Sequence, residues 1–395
     1  MFRRFVGLLA STLVACGQSE PSFREVIDES ATTLIPKVER VVGLPFKQRP
    51  RLEVRTEAQV AQYIANRIAE DLPRERVEEV TVAYRLFGLI PDSLDVARLY
   101  EELLREQVAG YFDPDSNALF MIEGTDPTLV TFTLGHELVH ALQAQYVDLR
   151  ALLDPRAPND RSTAAQAVME GQATWAGLRL LVSDDNLAAL GDFEDLVRDA
   201  IESQRAQLPV FTSAPLVIRE ALLFPYVGGA TFMQRFAQQF PDTVPFGDRL
   251  PITTEQVLHG DRYADGDRPV ELTFAADAVR FQDDLGEFET GLLLWELSGS
   301  RSVGSAGAFG WDGDRYAVLD AGPGDRALVW WSVWDGADQA DRFATLIRRY
   351  WRTRPGREMR LQRAELGGQA AVGVVDGPRE WNGWDRVPAV TARAP

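Results

Sequence analysis

Residues 126–149 constrain this chain more than any other stretch, because they leave almost no polar stripe and yet carry His136, Glu137 and His140. Asp126 reads as an N-cap and Pro127 as a first helical residue. Leu129, Val130, Phe132, Leu134, Leu138, Val139, Ala141, Leu142, Tyr146 and Val147 surround the polar residues with apolar ones. The spacing predicts one long helix covered by protein on most sides. Two imidazoles and a carboxylate on such a helix need partners, since unpaired polar groups away from water are costly.

A metal ion is the partner that fits the spacing. His136 and His140 are two of only 3 histidines in 395 residues. At i and i+4 they lie on one helical face, so both rings can reach one ion while Glu137 points beside it at a bound water. With histidine this rare, chance gives the pattern in roughly one such chain in several hundred to a thousand. Zn2+ is the expected cofactor, and the bland alternative is a pair of ordinary core histidines.

A catalytic zinc site takes three protein ligands and leaves a position for water. The metzincin extension is absent, because Ala141, Leu142, Gln143, Ala144, Gln145 and Tyr146 follow His140. Glu170 is the expected third ligand, on a second helical stretch after the loop at 154–160. Its neighbours Gly171, Ala173 and Gly177 are small, and glycine inside a helix costs about 1 kcal/mol relative to alanine, which argues for close packing against the first ligand helix. Asp148 and Glu194 are less well framed.

These residues resemble the gluzincin peptidases. In those enzymes two motif histidines and a downstream glutamate hold zinc, and the motif glutamate is the general base. The likeness extends to Glu170-Gly171-x-Ala173-Thr174, Phe224-Pro225-Tyr226-x-Gly228-Gly229, Thr253-Thr254-Glu255-Gln256-x-Leu258-His259 and Trp311-x-Gly313-Asp314-Arg315-Tyr316. Over residues 50–350 it is similar to a largely uncharacterised family of bacterial metallopeptidases. The chain departs from that family at Ala144, usually acidic there, and at Tyr146, often His. It departs from thermolysin-like enzymes at Thr174, where a carboxylate often supports a ligand histidine.

The chemistry expected is metal-assisted peptide hydrolysis with Glu137 as base. His259, Tyr226 and Tyr263 are the candidate donors to the oxyanion, and His259 is expected as the second catalytic residue. Residues 108–113 and 118–123 flank the turn Asp113-Pro114-Asp115-Ser116-Asn117 and read as a hairpin. In enzymes of the resembling kind an edge strand pairs with an extended peptide. Ala118, Leu119 and Phe120 are expected in that strand.

At the N-terminus, Arg3 and Arg4 precede a short apolar run and then Leu13-Val14-Ala15-Cys16. This reads as a bacterial lipoprotein signal over 1–15, with Cys16, the only cysteine, as the lipidated residue and 16–22 as a tether. The expected location is the cell envelope, outside the cytoplasm and membrane-anchored through the lipid. A net charge of −18 disfavours nucleic acid and basic-patch membrane binding.

The fold class expected is α+β: a mainly helical zincin-like catalytic domain with a small sheet over 23–269, then a C-terminal α+β unit over 270–395. Helices are expected at 23–42, 57–70, 74–87, 93–106, 193–206, 215–239 and 337–351, and strands at 51–55, 316–319 and 327–334. Eight of the 9 tryptophans fall between Trp295 and Trp384, which points to a core more than to a binding platform. The leading expectation is a zinc metallopeptidase acting on protein or peptide substrates. The alternatives are a non-catalytic surface lipoprotein that uses the zincin core as a scaffold, and a metallohydrolase of a cell-wall amide.

Overall fold

The computed structural model describes residues 22–63, 73–107, 110–183, 187 and 193–394. Cys16, the signal at 1–15, most of the tether, Val108 and the second half of the helix expected at 57–70 lie outside the described residues. In chain order the helices are α1 (Phe23–Val42), α2 (Arg74–Phe87), α3 (Val96–Gln107), α4 (Pro127–Gln143), α5 (Leu149–Leu152), α6 (Asn159–Leu181), α7 (Phe193–Arg205), α8 (Pro209–Ser213), α9 (Leu216–Gln239), α10 (Thr254–Leu258), α11 (Gly260–Asp265), α12 (Gly286–Ser298), α13 (Arg301–Ala308) and α14 (Ala337–Tyr350). The strands are β1 (Arg51–Arg55), β2 (Gly110–Asp113), β3 (Ala118–Ile122), β4 (Glu271–Phe274), β5 (Phe281–Asp283), β6 (Trp311–Gly322), β7 (Asp325–Trp334), β8 (Arg357–Leu366), β9 (Gln369–Pro378) and β10 (Val390–Arg393). The fold is α+β.

Local chemistry sets several of these boundaries. Ser22 and Glu25 form a reciprocal capping box at the start of α1, and Gly43, at φ 81°, ends it. The helix expected at 126–149 stops at Gln143 instead. Beyond it the chain is drawn to the loop before β1: Gln145 accepts from the backbone of Lys47 and Gln48, and Tyr146 Oη donates to the Pro45 carbonyl. Asp148 then caps α5 by accepting from the Ala151 N–H at 3.2 Å.

Two packing units frame the site. In the first, β1 runs parallel to β3 and β2 antiparallel to it, in the order β1-β3-β2. Leu119 and Met121 of β3 pack with Leu134, Leu138 and Leu142 of α4, Ile27, Leu34 and Val38 of α1, and Ala173 and Ala176 of α6. In the second, β5-β6-β7-β9-β8 form an antiparallel sheet buried on both faces. Along β7, Leu328, Trp330 and Trp334 join the core with Phe343 and Ile347 of α14, whereas Val329, Trp331 and Val333 pack under β4 and β10. This is the period of two expected of a strand. Ala83, Phe87 and Leu103 of α2 and α3 belong to the same core as Trp330, so early helices pack against the C-terminal sheet.

Helices α6 and α9 cross at glycine. A Cβ on Gly171 would lie 2.2 Å from the Gly229 carbonyl carbon, and one on Gly229 would lie 2.0 Å from the Ala167 oxygen. Gly171 therefore serves the contact with α9 and not, as expected, the contact with α4. That second approach is made at Gly177, whose Cβ would meet Phe132 of α4 at 2.9 Å, and at Gly135, whose Cβ would meet Leu180 at 2.6 Å. By length and composition α9 is apolar enough to cross a membrane, but most of it is buried within the protein.

Candidate metal centre

Helix α4 turns one face into the core and the other, Leu129, Phe132, Thr133, His136 and Glu137, onto a cavity of about 810 Å³. Glu170 of α6 lines the same cavity. His136 Nε2 and His140 Nε2 lie 3.0 Å apart, and Glu170 Oε2 is 3.1 Å from the first and 3.4 Å from the second. Among the described residues this is the one group of three such side chains whose ligand atoms converge.

The proton on His140 can be placed. Gln143, fully buried, donates its amide nitrogen to the Met169 carbonyl at 2.9 Å, which leaves Oε1 facing His140 Nδ1 at 2.8 Å. An amide oxygen only accepts, so Nδ1 carries a hydrogen and Nε2 is the ring nitrogen left to serve as a ligand. Two ring nitrogens and a carboxylate oxygen this close need positive charge among them, which a shared proton or a bound cation supplies. Ligands bonded tetrahedrally to zinc at roughly 2.0–2.1 Å sit about 3.3 Å from one another, close to the separations here. The residues present fit zinc.

The close contact of these groups shifts the protonation of each. Burial works against the charged form of His140, but the attraction of Glu170 and its hydrogen bond more than offset it and raise the ring to about 9. Burial opposes the Glu170 carboxylate too, and the two imidazoles overcome this and hold it well below the usual carboxylate range. Glu137 is raised, chiefly by burial, although both histidines and a hydrogen bond from the Phe112 N–H favour its ionised form. Tyr226 is pushed up by the charge of Glu170 and then by burial. Its ring stacks on His136 with centroids 6.0 Å apart, and the Arg205 guanidinium sits 5.1 Å from the same ring's centroid. His136 Nδ1 and Thr174 Oγ1 are both buried without a hydrogen-bond partner.

The expected substrate strand needs correction. Ala118, Leu119 and Phe120 are buried, and β3 is the central strand, with both edges of its backbone already paired. The edge at the cavity belongs to β2. Phe112 turns its N–H to Glu137, and Gly110, two residues away and therefore facing the same side, lines the cavity.

Two of the expected oxyanion donors are elsewhere. His259 Nε2 bonds Glu287 Oε1 at 2.9 Å, its ring rests against Phe309, and it lines a separate cavity of about 280 Å³. Tyr263 donates to the Arg249 carbonyl at 2.7 Å among Phe232, Phe236 and Phe240. Neither lines the cavity of the metal triad, whereas Tyr226 does. Of the other acids weighed as ligands, Asp148 is a helix cap and Glu194 pairs with Arg301.

Sequence reading passed over Gln143, Arg205 and Glu289. Gln143 left a signal, as a polar residue three positions after His140 in an apolar helix. Arg205 and Glu289 reach the cavity from distant elements and left none.

A family model described as a domain of unknown function, DUF8575, matches residues 275–380. That segment holds β5 to β9 and α12 to α14, and it contains none of the metal triad. No curated protein and no solved structure matches the chain.

Proposed function

We propose that the chain is a zinc-dependent peptidase of gluzincin type, with a zincin-like catalytic unit built on α4, α6 and the sheet β1-β3-β2. The observation that carries this reading is the convergence of His136, His140 and Glu170 at a cavity lined by His136, Glu137, Glu170 and, from the strand edge, Gly110. His136 Nε2, His140 Nε2 and Glu170 would hold the ion. Zinc held there would supply an acidified water and a Lewis acid for a carbonyl.

The protein's own groups do the remaining work. Glu137 takes the proton of the attacking water and passes it to the leaving amine, and the Phe112 N–H holds its carboxylate in line. Tyr226 Oη, beside Glu170, donates to the oxyanion as it forms. The outer edge of β2 at Gly110 aligns an extended peptide along the cavity. The lipobox-like sequence supports attachment of the protein to the bacterial envelope through an acyl chain on Cys16.

Metal analysis of the protein lacking residues 1–16 tests the reading. Stoichiometric zinc is expected, with Glu170→Ala losing it and Glu137→Gln keeping it while abolishing cleavage of unfolded protein. A Glu137→Gln protein that cleaves as well as its parent would overturn the proposal. Purified peptidoglycan as a parallel substrate separates peptidase from cell-wall amidase activity.

A further inference from the structure

The cavity of the metal triad has a second polar feature on a wall contributed by the C-terminal half of the chain. Glu289, in the first turn of α12, is 3% exposed and lines the same cavity as His136, Glu137 and Glu170. Its Oε1 accepts a 2.7 Å hydrogen bond from Tyr84 Oη. Its Oε2 is buried and meets no hydrogen bond of good geometry, although the Asn159 side chain also bears on the carboxyl and favours its ionised form. Among the described residues no cation pairs with it. The two guanidinium groups that line the cavity are engaged elsewhere, Arg76 by Asp283 and Glu79, and Arg205 by the Leu222 carbonyl and the rings of Phe211 and Tyr226.

Two buried carboxylates nearby are fully met, and Glu287, whose Oε2 is likewise unmet, lines the other cavity and has His259 on its Oε1. Asp314 accepts from both the Trp311 and Trp330 indoles and from the N–H groups of Leu285 and Gly286, and Asp160 accepts from the backbone and hydroxyl of Thr254. An acceptor left unmet in the interior costs roughly 1–3 kcal/mol, so the free oxygen of Glu289 marks a donor that comes from outside the chain. The Tyr84 hydrogen bond and the close burial of the side chain hold the carboxyl in place. Burial also raises it to about 7, as expected of a carboxyl with no counter-charge. Around it the cavity is lined by Val80, Tyr84, Tyr100, Leu103 and Leu104, a wall suited to an alkyl chain that ends in a positive charge.

We propose that Glu289 determines specificity in this cavity by binding the protonated amine or guanidinium of a basic peptide. The catalytic meaning of that selection rests on the peptidase reading above, but the binding itself does not. The cation has two possible sources, a lysine or arginine side chain and a free amino terminus.

Fluorescence anisotropy on the full Glu137→Gln protein, with zinc supplied, measures the selection without turnover. One peptide pair, acetylated at the amino terminus, differs by lysine against norleucine, and a second norleucine pair differs by a free against an acetylated amino terminus. At least one pair should show a preference for the cation of about tenfold or more, as a charge-assisted contact gives, and the pair that shows it names the source. Adding Glu289→Gln should bring that ratio close to one, with zinc content and unfolding midpoint reporting that the variant folds. Equal binding within both pairs in the Glu289-containing protein overturns the proposal whatever the variant does, and so does a preference that survives Glu289→Gln. A preference that depends on Glu289, in a protein whose wild type cleaves no peptide, upholds the binding site and rejects the peptidase.

Discussion

Gln143 Oε1 accepts the Nδ1 proton of His140 at 2.8 Å, while the amide nitrogen of the same side chain is held by a carbonyl of α6. The orientation of one candidate ligand is thereby set by the backbone of the helix that carries another. Gln143→Leu removes this support and strands the Met169 carbonyl. Zinc affinity should fall about 10–100-fold, as for other partners of ligand histidines, and chelator competition measures it. Unchanged affinity would show that packing alone orients the ring.

Tyr226 and His259 should separate cleanly by mutation. Tyr226→Phe keeps the ring that stacks on His136 and loses the hydroxyl, so kcat should drop by about 100-fold with zinc content and KM little altered. His259→Ala removes the bond to Glu287 and the ring contact with Phe309, both away from the cavity of Glu170, and its kcat should stay within about threefold of wild type while stability falls. A reversed order of effects on kcat would return His259 to the chemistry.

Gly171→Ala should be strongly destabilising despite the better helix propensity of alanine. The added carbon would sit 2.2 Å from the Gly229 carbonyl carbon, and backbone cannot yield as a side-chain tip can. A loss of at least about 2 kcal/mol is expected in urea unfolding, accompanied by weaker zinc binding because Glu170 is the adjacent residue. A neutral or stabilising result would mean that α6 and α9 slide apart at little cost.

The buried acids predict how stability depends on pH. Asp160 and Glu289 are each raised to about 7 and Asp314 to about 6, chiefly by burial. A carboxyl raised in the folded state binds its proton more tightly there than in the unfolded chain. Its contribution is complete below the unfolded value near 4 and is lost as pH climbs through 6 to 7. Metal-free protein should therefore melt several degrees higher at pH 5.5 than at pH 8.5 in calorimetry. A melting temperature that climbs with pH across that window would contradict the burial assigned to these groups.

Much of this architecture was legible because apolar spacing records which face is covered. Helices α1 and α2 and strand β1 fall where the periodicity put them, and the tryptophans Trp311, Trp330 and Trp334 are core, as their density suggested. The i, i+4 spacing located His136 and His140, and the small residues around Glu170 correctly announced a crowded helix, though the crowding at Gly171 comes from α9.

Placement across the sheet was harder to read. Ala118–Ile122 is a continuous apolar run, and all five residues are buried, which is the mark of an interior strand and not of an edge. The end of α4 escaped because its competitor, the loop at 45–48, lies about a hundred residues earlier. His259 misled because rarity alone says nothing about what a ring faces. Nothing local distinguishes Glu289 from Glu287, one paired with Tyr84 across the core and the other with His259.

With β3 enclosed on both flanks, the backbone offered to a visiting chain is the outer rim of β2, four residues from Gly110 to Asp113. At roughly 3.3 Å per residue that is about 13 Å of rail, and Glu137 already occupies the Phe112 N–H within it. Main-chain recognition is thus confined to a very short span. Any choosiness among longer polypeptides has to be exercised by the side chains of the surrounding helices.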